Sequence, residues 1–450
     1  MKKIFLFASL TLLTGLVLTA CGSGDDITKN EEIQKPDDTT GGEAKPDDNQ
    51  GQGQGNTSNG ETRSINMTEA QKTAVAKNND FAFNMFRQVS TLDDMKGRSF
   101  VSSPLSATYA LGMLNTGGQG KTSEEITAML GFAGGSKQDV NDLCKLLIDE
   151  APKVDEKAKL KLADCVVTNL DIKLSENYQK EITDYYQGEA FAKDFKLPAT
   201  IDFINAWCKD HTEGMIKQII SELNPQARMV LMNAIYFKAP WSGKFSEKDT
   251  KNEAFTREDG SKQTLPMMHR KDATFYRANN LYATIGLPYG NGKNWVMYVL
   301  LPNEGHTVGE VLKGLTNDSW NKNRPVISQY AGEVDVKLPK FKVESEIWLN
   351  SVFESLGAST MFNPAQADFS PMTADGTPLW VSLIKQKAAI EVTEEGTEAS
   401  AVTIATLDTD DGNGGGVSET PKFYATRPFV YVIQEASSNA IFFIGTYQGN

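Results

Sequence analysis

The stretch Ala389-Ile390-Glu391-Val392-Thr393-Glu394-Glu395-Gly396-Thr397-Glu398-Ala399-Ser400-Ala401-Val402-Thr403-Ile404-Ala405-Thr406-Leu407-Asp408-Thr409-Asp410-Asp411-Gly412-Asn413-Gly414-Gly415-Gly416-Val417 starts as a strand, with Ala389 and Glu391 alternating against Ile390 and Val392. It breaks at Glu394-Glu395-Gly396 and ends in Gly, Asp and Asn residues that no core would hold. Between those ends, every second residue from Thr397 is small or apolar: Thr397, Ala399, Ala401, Thr403, Ala405, Leu407. The complementary set, Glu398, Ser400, Val402, Ile404, Thr406 and Asp408, is more polar and more varied. A period of two with one face trimmed to small residues is strand patterning, here set inside loop punctuation. The segment reads as a strand waiting for a place in a sheet.

The rest of the chain from Asn66 onward supplies one large mixed domain without a second linker or an internal repeat. Asp80 is expected to cap a helix with Phe81, Met85, Phe86 and Val89 on its apolar face. Phe100 to Ser102 reads as a strand turning into a helix at Ala107 to Leu114, and Thr122 with Glu125 as a capping box. Further helices are expected near Val140–Ile148, Glu176–Tyr186, Ile201–Cys208, Val308–Leu315 and Glu346–Leu356. Strands are expected at Leu160–Val167, Met229–Phe237, Tyr282–Leu287, Trp295–Leu301, Glu333–Phe341, Leu379–Val392, Phe429–Gln434 and Ile441–Tyr447. Long strands separated by helices, with hairpins at the end, indicate an α+β domain with more than one sheet. Glu333–Phe341 and Leu379–Val392 are the expected walls of the slot for the waiting strand.

The first 63 of the 450 residues read differently. Residues 1–20 form a secretory signal, with Lys2 and Lys3 ahead of the apolar run Ile4 to Leu18. Leu18-Thr19-Ala20-Cys21 resembles the bacterial lipobox, in which the Cys, here Cys21, is acylated and anchors the mature chain in the membrane. Asp25 and Asp26 resemble the surface-export signal of Bacteroidetes lipoproteins, so the expected location is the outer membrane, facing the periplasm or the cell surface. Residues 21–63 hold ten acids against four bases and almost no large apolar side chains, the composition of a disordered tether. About half of the net charge of −13 therefore lies in the tether. The folded part, 64–450, is only mildly acidic, which argues against a nucleic-acid partner.

No catalytic constellation assembles. Gly117-Gly118-Gln119-Gly120-Lys121-Thr122 has Asn115 where a phosphate loop needs its first Gly, and a helix rather than a strand precedes it. His211, His269 and His306 lie far from any nucleophile signature, and no His-Glu-x-x-His or Gly-x-Ser-x-Gly pattern occurs. Neither a metal nor another cofactor is expected, and a hydrolase is disfavoured. Cys144, Cys165 and Cys208 lack ligand or Cys-x-x-Cys spacing and read as small buried hydrophobes, with one disulfide as the alternative.

Taken in order, the motifs resemble the serpin family, and the resemblance spans Asn79 to Gln448. Asn79-Asp80-Phe81-Ala82-Phe83 resembles the family's first helix. Ser102-Ser103-Pro104-Leu105-Ser106 resembles its "shutter", with Ser103, Ser106 and Asn233 in the latching positions and Gln386 where the family often has His. Trp241 matches the "breach" tryptophan, and Leu338-Pro339-Lys340-Phe341 the strand that supplies the breach lysine, Lys340, as a partner for Glu394. Glu394 to Ala401 is similar to the hinge of inhibitory members, with Glu394, Gly396, Thr397, Ala399, Ser400 and Ala401 in its key positions, and Arg427-Pro428-Phe429 to the distal anchor.

The resemblance implies an α+β fold of three sheets and about nine helices with an exposed reactive loop, about 394–426. It further implies a monomeric inhibitor whose partner is a serine or cysteine protease. The protease cleaves the loop, the loop inserts as a new strand, and the acyl-enzyme is trapped covalently. The competing expectation is a non-inhibitory member acting as a binding module. The usual spacing from Glu394 puts the scissile bond at Asp410–Asp411, whereas counting back from Arg427 puts it near Val417. Leu407 and Thr409 are further alternatives, suited to elastase-like or subtilisin-like enzymes.

Overall fold

The computed structural model describes residues 63–326, 332–397 and 420–450, and among these residues the strands form three sheets. One six-stranded sheet runs, edge to edge, β1 (Phe100–Ser102), β16 (Ile441–Tyr447), β15 (Phe429–Glu435), β9 (Trp295–Pro302), β8 (Tyr282–Tyr289) and β7 (Phe275–Ala278). A four-stranded sheet runs β14 (Lys422–Tyr424), β10 (Glu333–Pro339), β6 (Lys262–Ala273) and β5 (Lys251–Thr256). The third carries the start of the waiting strand and runs β11 (Phe341–Trp348), β12 (Leu383–Val392), β13 (Gly396–Thr397), β4 (Met229–Pro240), β2 (Lys159–Asn169) and β3 (Glu189–Lys193). The α-helices are α1 (Glu69–Val89), α2 (Pro104–Gly117), α3 (Gly120–Thr127), α4 (Lys137–Glu150), α5 (Glu176–Tyr186), α6 (Pro198–His211), α7 (Val308–Gly314), α8 (Asn317–Asn323) and α9 (Asn350–Ser355).

Burial explains the placement. Every residue of β9, β15 and β16 is buried, as near-continuous apolar runs require. Helix α2 is buried on all sides, so it has no amphipathic stripe to present. Ser103 caps it by accepting from Ser106 N at 3.3 Å, and Pro104 occupies the first turn, where a missing N–H costs nothing. The main core lies between the first sheet and the inner face of the third, where Phe237 packs against Tyr289, Trp295 and Phe443. A second core lies on the outer face, where Val230, Met232 and Ala234 meet Ile204 and Trp207 of α6 and Ile216, Ile219 and Ile220 beyond it. Strand β4 is thus buried on both faces, its odd residues in one core and its even residues in the other.

Four expectations need correction. Glu333–Phe341 is not one strand: β10 ends at Pro339 in the four-stranded sheet, and β11 starts at Phe341 in the third. Its neighbour Glu346–Leu356 is not one helix, because β11 runs on to Trp348 and only Asn350–Ser355 is helical. The alternation of buried Phe341, Val343, Ser345 and Ile347 with exposed neighbours is a strand period, and it overrides the helix-forming Glu344 and Glu346. Asp80 caps no helix of its own, since α1 begins at Glu69 with a Thr68–Gln71 capping box; instead Asp80 Oδ1 accepts from Asn317 N, at the start of α8, at 2.7 Å. Thr122 and Glu125 lie inside α3 and reach outward: Thr122 Oγ1 accepts from Asp368 N at 3.0 Å, and Glu125 from Thr360 N and Oγ1 at 2.8 Å each.

Because Asp80 ties α1 to the first turn of α8, Asp80→Ala is expected to cost about 1 kcal/mol, the usual worth of a helix cap, measured as a lower chemical-unfolding midpoint.

Candidate functional site: a latched seam

Strands β12 and β4 are parallel neighbours, paired from Leu383 opposite Val230 up to Ala388 opposite Ile235. Above that level they part, and β13 sits between them. Thr397 pairs with Val392 on one side and Ala239 on the other, and Gly396 pairs with Pro240. The first residue of the small-residue face is therefore already seated in the sheet. Its side chain points inward, 1 % exposed, and shares a 2.6 Å hydrogen bond with the Tyr289 hydroxyl. Gly396 has φ +148°, and a Cβ there would lie 2.3 Å from Ala239 O and 2.6 Å from Pro240 Cα. Only glycine allows the chain to turn down at this point.

The top of the seam is held by polar groups. Trp241 Nε1 donates to Thr393 O at 2.9 Å, and its ring stacks on Tyr289 with centroids 4.2 Å apart. Trp241 N donates to Glu395 O and Phe245 N to Glu394 O, at 2.9 and 3.0 Å. Lys340, at the crossing from the four-stranded sheet into β11, places Nζ 2.7 Å from Glu394 Oε2, while Thr250 Oγ1 donates to Oε1 at 2.8 Å. Lys244 pairs with Glu395. Burial pushes the Glu394 carboxyl up, but the hydrogen bonds from Lys340 and Thr250 outweigh it and hold the group below its ordinary range. This contribution is present above the ordinary carboxylate range and is lost as pH falls through the depressed value, so acid loosens the top latch.

A second latch crosses the seam at mid-height. Gln386 and Asn233 are register partners, and Gln386 Nε2 donates to Asn233 Oδ1 at 3.0 Å and to Ser103 O at 2.8 Å. Gln386 Oε1 accepts from Ser102 Oγ and Ser103 N, at 2.8 and 3.0 Å. Asn233 Nδ2 donates to Ser106 O at 3.0 Å, to the Ser106 hydroxyl, and to Asp164 Oδ1 at 2.5 Å. Ser103 Oγ donates to Phe442 O at 2.7 Å, tying the network to the first sheet. The structure thus gathers Ser103, Ser106, Asn233 and Gln386 into one buried cluster, and Trp241, Lys340, Glu394, Gly396 and Thr397 into another. Cys21, Ala399, Ser400, Ala401, Leu407, Thr409, Asp410, Asp411 and Val417 lie outside the described residues.

Asp164, Thr250 and Tyr289 belong to these clusters and are not in the sequence-based set, and Ser102, part of the shutter motif, was given no latching position there. Asp164 carried a signal: it is a lone acid in the apolar run Leu160 to Val167. Tyr289 carried none. Cys144, Cys165 and Cys208 are free and buried, and burial pushes their thiols up, Cys208 to about 12. Among the described residues no group of His, Cys, Asp and Glu side chains is placed to hold a metal ion, and no helix is long and apolar enough to cross a membrane.

The family profile Serpin (serine protease inhibitor) matches residues 76–448. Serpin B6 of Pongo abelii is 30 % identical over 378 residues, covering 82 % of this chain and 97 % of that protein. Serine protease inhibitor A3K of Mus musculus is 30 % identical over 380 residues, covering 83 % and 87 %. The crystal structure of tengpin, a thermophilic serpin in the native state, superposes with a TM-score of 0.74 at 29 % identity, covering 86 % of this chain and 96 % of that one. The chain belongs to the serpin family. Its members are in general protease inhibitors rather than enzymes, and the three sheets with helices around them are the serpin fold.

Burial pushes the Asp164 carboxyl up to about 7, against the pull of its Asn233 hydrogen bond. Tyr109 from α2, Cys144 from α4 and the adjacent Cys165 are the titratable groups coupled to it, and all three are pushed further from ionisation. Folding therefore favours the protonated acid: its contribution is full below about pH 4 and is lost as pH rises through about 7. Asp164→Asn is expected to match the parent's unfolding midpoint at acid pH and exceed it at alkaline pH. Parallel pH profiles for the two proteins would count against this assignment.

Proposed function

We propose that this protein is a suicide-substrate inhibitor of serine or cysteine endopeptidases that works by inserting its cleaved loop into the β12–β4 seam. The observation that carries the reading is the seating of Thr397. Its inward side chain sets the phase of everything that follows, and its pairing with both Val392 and Ala239 sets the register. Continued downward, that register lays Ala399, Ala401, Thr403, Ala405 and Leu407 along the inner face, opposite Phe237, Ile235, Asn233, Leu231 and Met229. Both walls give the same alignment, so Thr403 arrives between Gln386 and Asn233. A hydroxyl there replaces the bond that those two residues give up when the seam opens, and no buried amide is left unpaired.

The outward set fits as well. Val402 and Ile404 count as blemishes only if the outer face is open to water. At their level it is not, because Ala234 and Met232 are buried in the second core beneath α6. The loop tip, with Asp410–Asp411 as the favoured bond, sets which protease is caught. Cys21 in its lipobox and the acidic tether support display from the outer membrane, facing the periplasm or outside. The competing role, a binding module without inhibition, has no need of this small, uncharged inward face.

Incubation with a panel of serine and cysteine proteases is expected to give at least one complex that survives denaturing electrophoresis; cleaved fragments without any complex would defeat the proposal. Thr397→Arg forces a charge into the Tyr289 pocket, which costs several kcal/mol. It is expected to turn the inhibitor into a substrate, raising the number of molecules consumed per enzyme trapped by roughly tenfold or more.

A further inference from the structure

The base of the seam holds a charged side chain that neither latch uses. The last cross-links there run from Ser382 N to Met229 O at 3.0 Å and from Arg228 N to Ser382 Oγ at 2.9 Å. The Arg228 side chain is 19 % exposed, its Nη1 is 2.6 Å from Asp171 Oδ2, and its guanidinium stands 5.8 Å from the Trp380 ring centre. Its Nε is buried without a hydrogen-bond acceptor. A groove opens beside it, lined among others by Asp171, Asp194, Lys196, Gln226 and Trp380.

The geometry points to this groove as the dock for residues 408–410, the end of the inserted strand in the cleaved chain, with the Asp408 carboxylate bound to Arg228. The inference rests on the insertion proposed above and adds where the stroke ends. Counted residue for residue from Thr397 opposite Ala239, the inserted strand reaches Met229 with Leu407 and Arg228 with Asp408. The phase agrees too. Thr397 points inward, so the even-numbered residues point outward, which is the face of Val230, Met232 and Ala234 and, one step further, of Arg228.

Directly opposed residues of an antiparallel pair share a face, with Cβ atoms about 4.5–5.5 Å apart. Aspartate against arginine at that spacing forms an ion pair without moving the backbone. Asp171 occupies Nη1 only, and a second carboxylate on the Nε side of the fork gives that buried donor its missing acceptor. Lys196 adds positive charge for Asp410, while Asp171 and Asp194 limit how many acids the groove accepts. A hydrophobic or basic segment would find neither match.

The test is a double-mutant cycle of the parent, Asp408→Asn, Arg228→Gln and the pair. Each is cleaved in the loop beyond Asp408, with the cut verified by mass, and unfolded in guanidinium before and after cleavage. Asp408→Asn is expected to leave the uncleaved midpoint unchanged and to lower the cleaved midpoint by roughly 0.2 M. In the Arg228→Gln background it is expected to change neither. Arg228→Lys, which keeps the charge without the fork, is the second variant and should reduce the Asp408→Asn penalty by about half. An equal penalty in every background, or none in the parent, overturns the dock while insertion stands. No rise in midpoint on cleavage in any variant overturns insertion, and the dock with it.

Discussion

The structure depends on a parallel strand pair that is closed at its base, bolted at its middle and wedged open at its top. Backbone pairing of β12 with β4 covers only Leu383 to Ala388. What keeps the pair together is concentrated in a few polar side chains: Gln386 and Asn233 across the seam, and Lys340, Thr250 and Trp241 on the turn above it. Such groups are costly to bury unpaired and strong when paired, so the seam has two well-defined conditions rather than a graded one. The helices and the other two sheets supply the frame: Phe442 O receives Ser103, α2 presents Ser106, and the crossing after β10 presents Lys340.

Much of this was legible in the sequence for physical reasons. The period of two beyond Thr397 is a one-dimensional signal and needs no partner to be seen. The positions of β9, β15, β16 and α5 followed from apolar runs and caps of ordinary length. The walls of the seam were half legible. Leu379–Val392 reads as a strand, and the structure keeps it from Leu383, but the other wall is Met229–Pro240 and not the expected Glu333–Phe341, a long-range pairing that no local pattern contains. The break at Lys340 was missed although the sequence marks it: the apolar residues sit at even positions up to Leu338 and at odd positions from Phe341, and Pro339 at the slip sends the two halves to different sheets.

The side chains that sequence reasoning missed share a property. Asp164 and Tyr289 act on partners contributed by other strands, so their meaning appears only once register is known. Asp80 and Glu125 show the same thing from the other side. Both were read as local caps because local partners were in range, and in the fold both bind backbone groups more than two hundred residues away. Thr68 and Ser103, which do cap α1 and α2, were passed over because the helix starts were placed too late, at Asp80 and Ala107.

The parallel register of β12 and β4 has a mechanical consequence. β13 enters between these two parallel neighbours antiparallel to both, so continuing it would exchange a single slanted ladder for two ladders of the more favourable geometry. The proposed filling of the seam from Thr397 to Leu407 would add on the order of ten backbone hydrogen bonds, each worth about 1 kcal/mol net. Under the proposed insertion, the closed sheet would act as a loaded spring whose tension is unmade pairing rather than bent bonds. Its work would be delivered along the strand axis, one rung at a time, as the two walls part around the entering peptide.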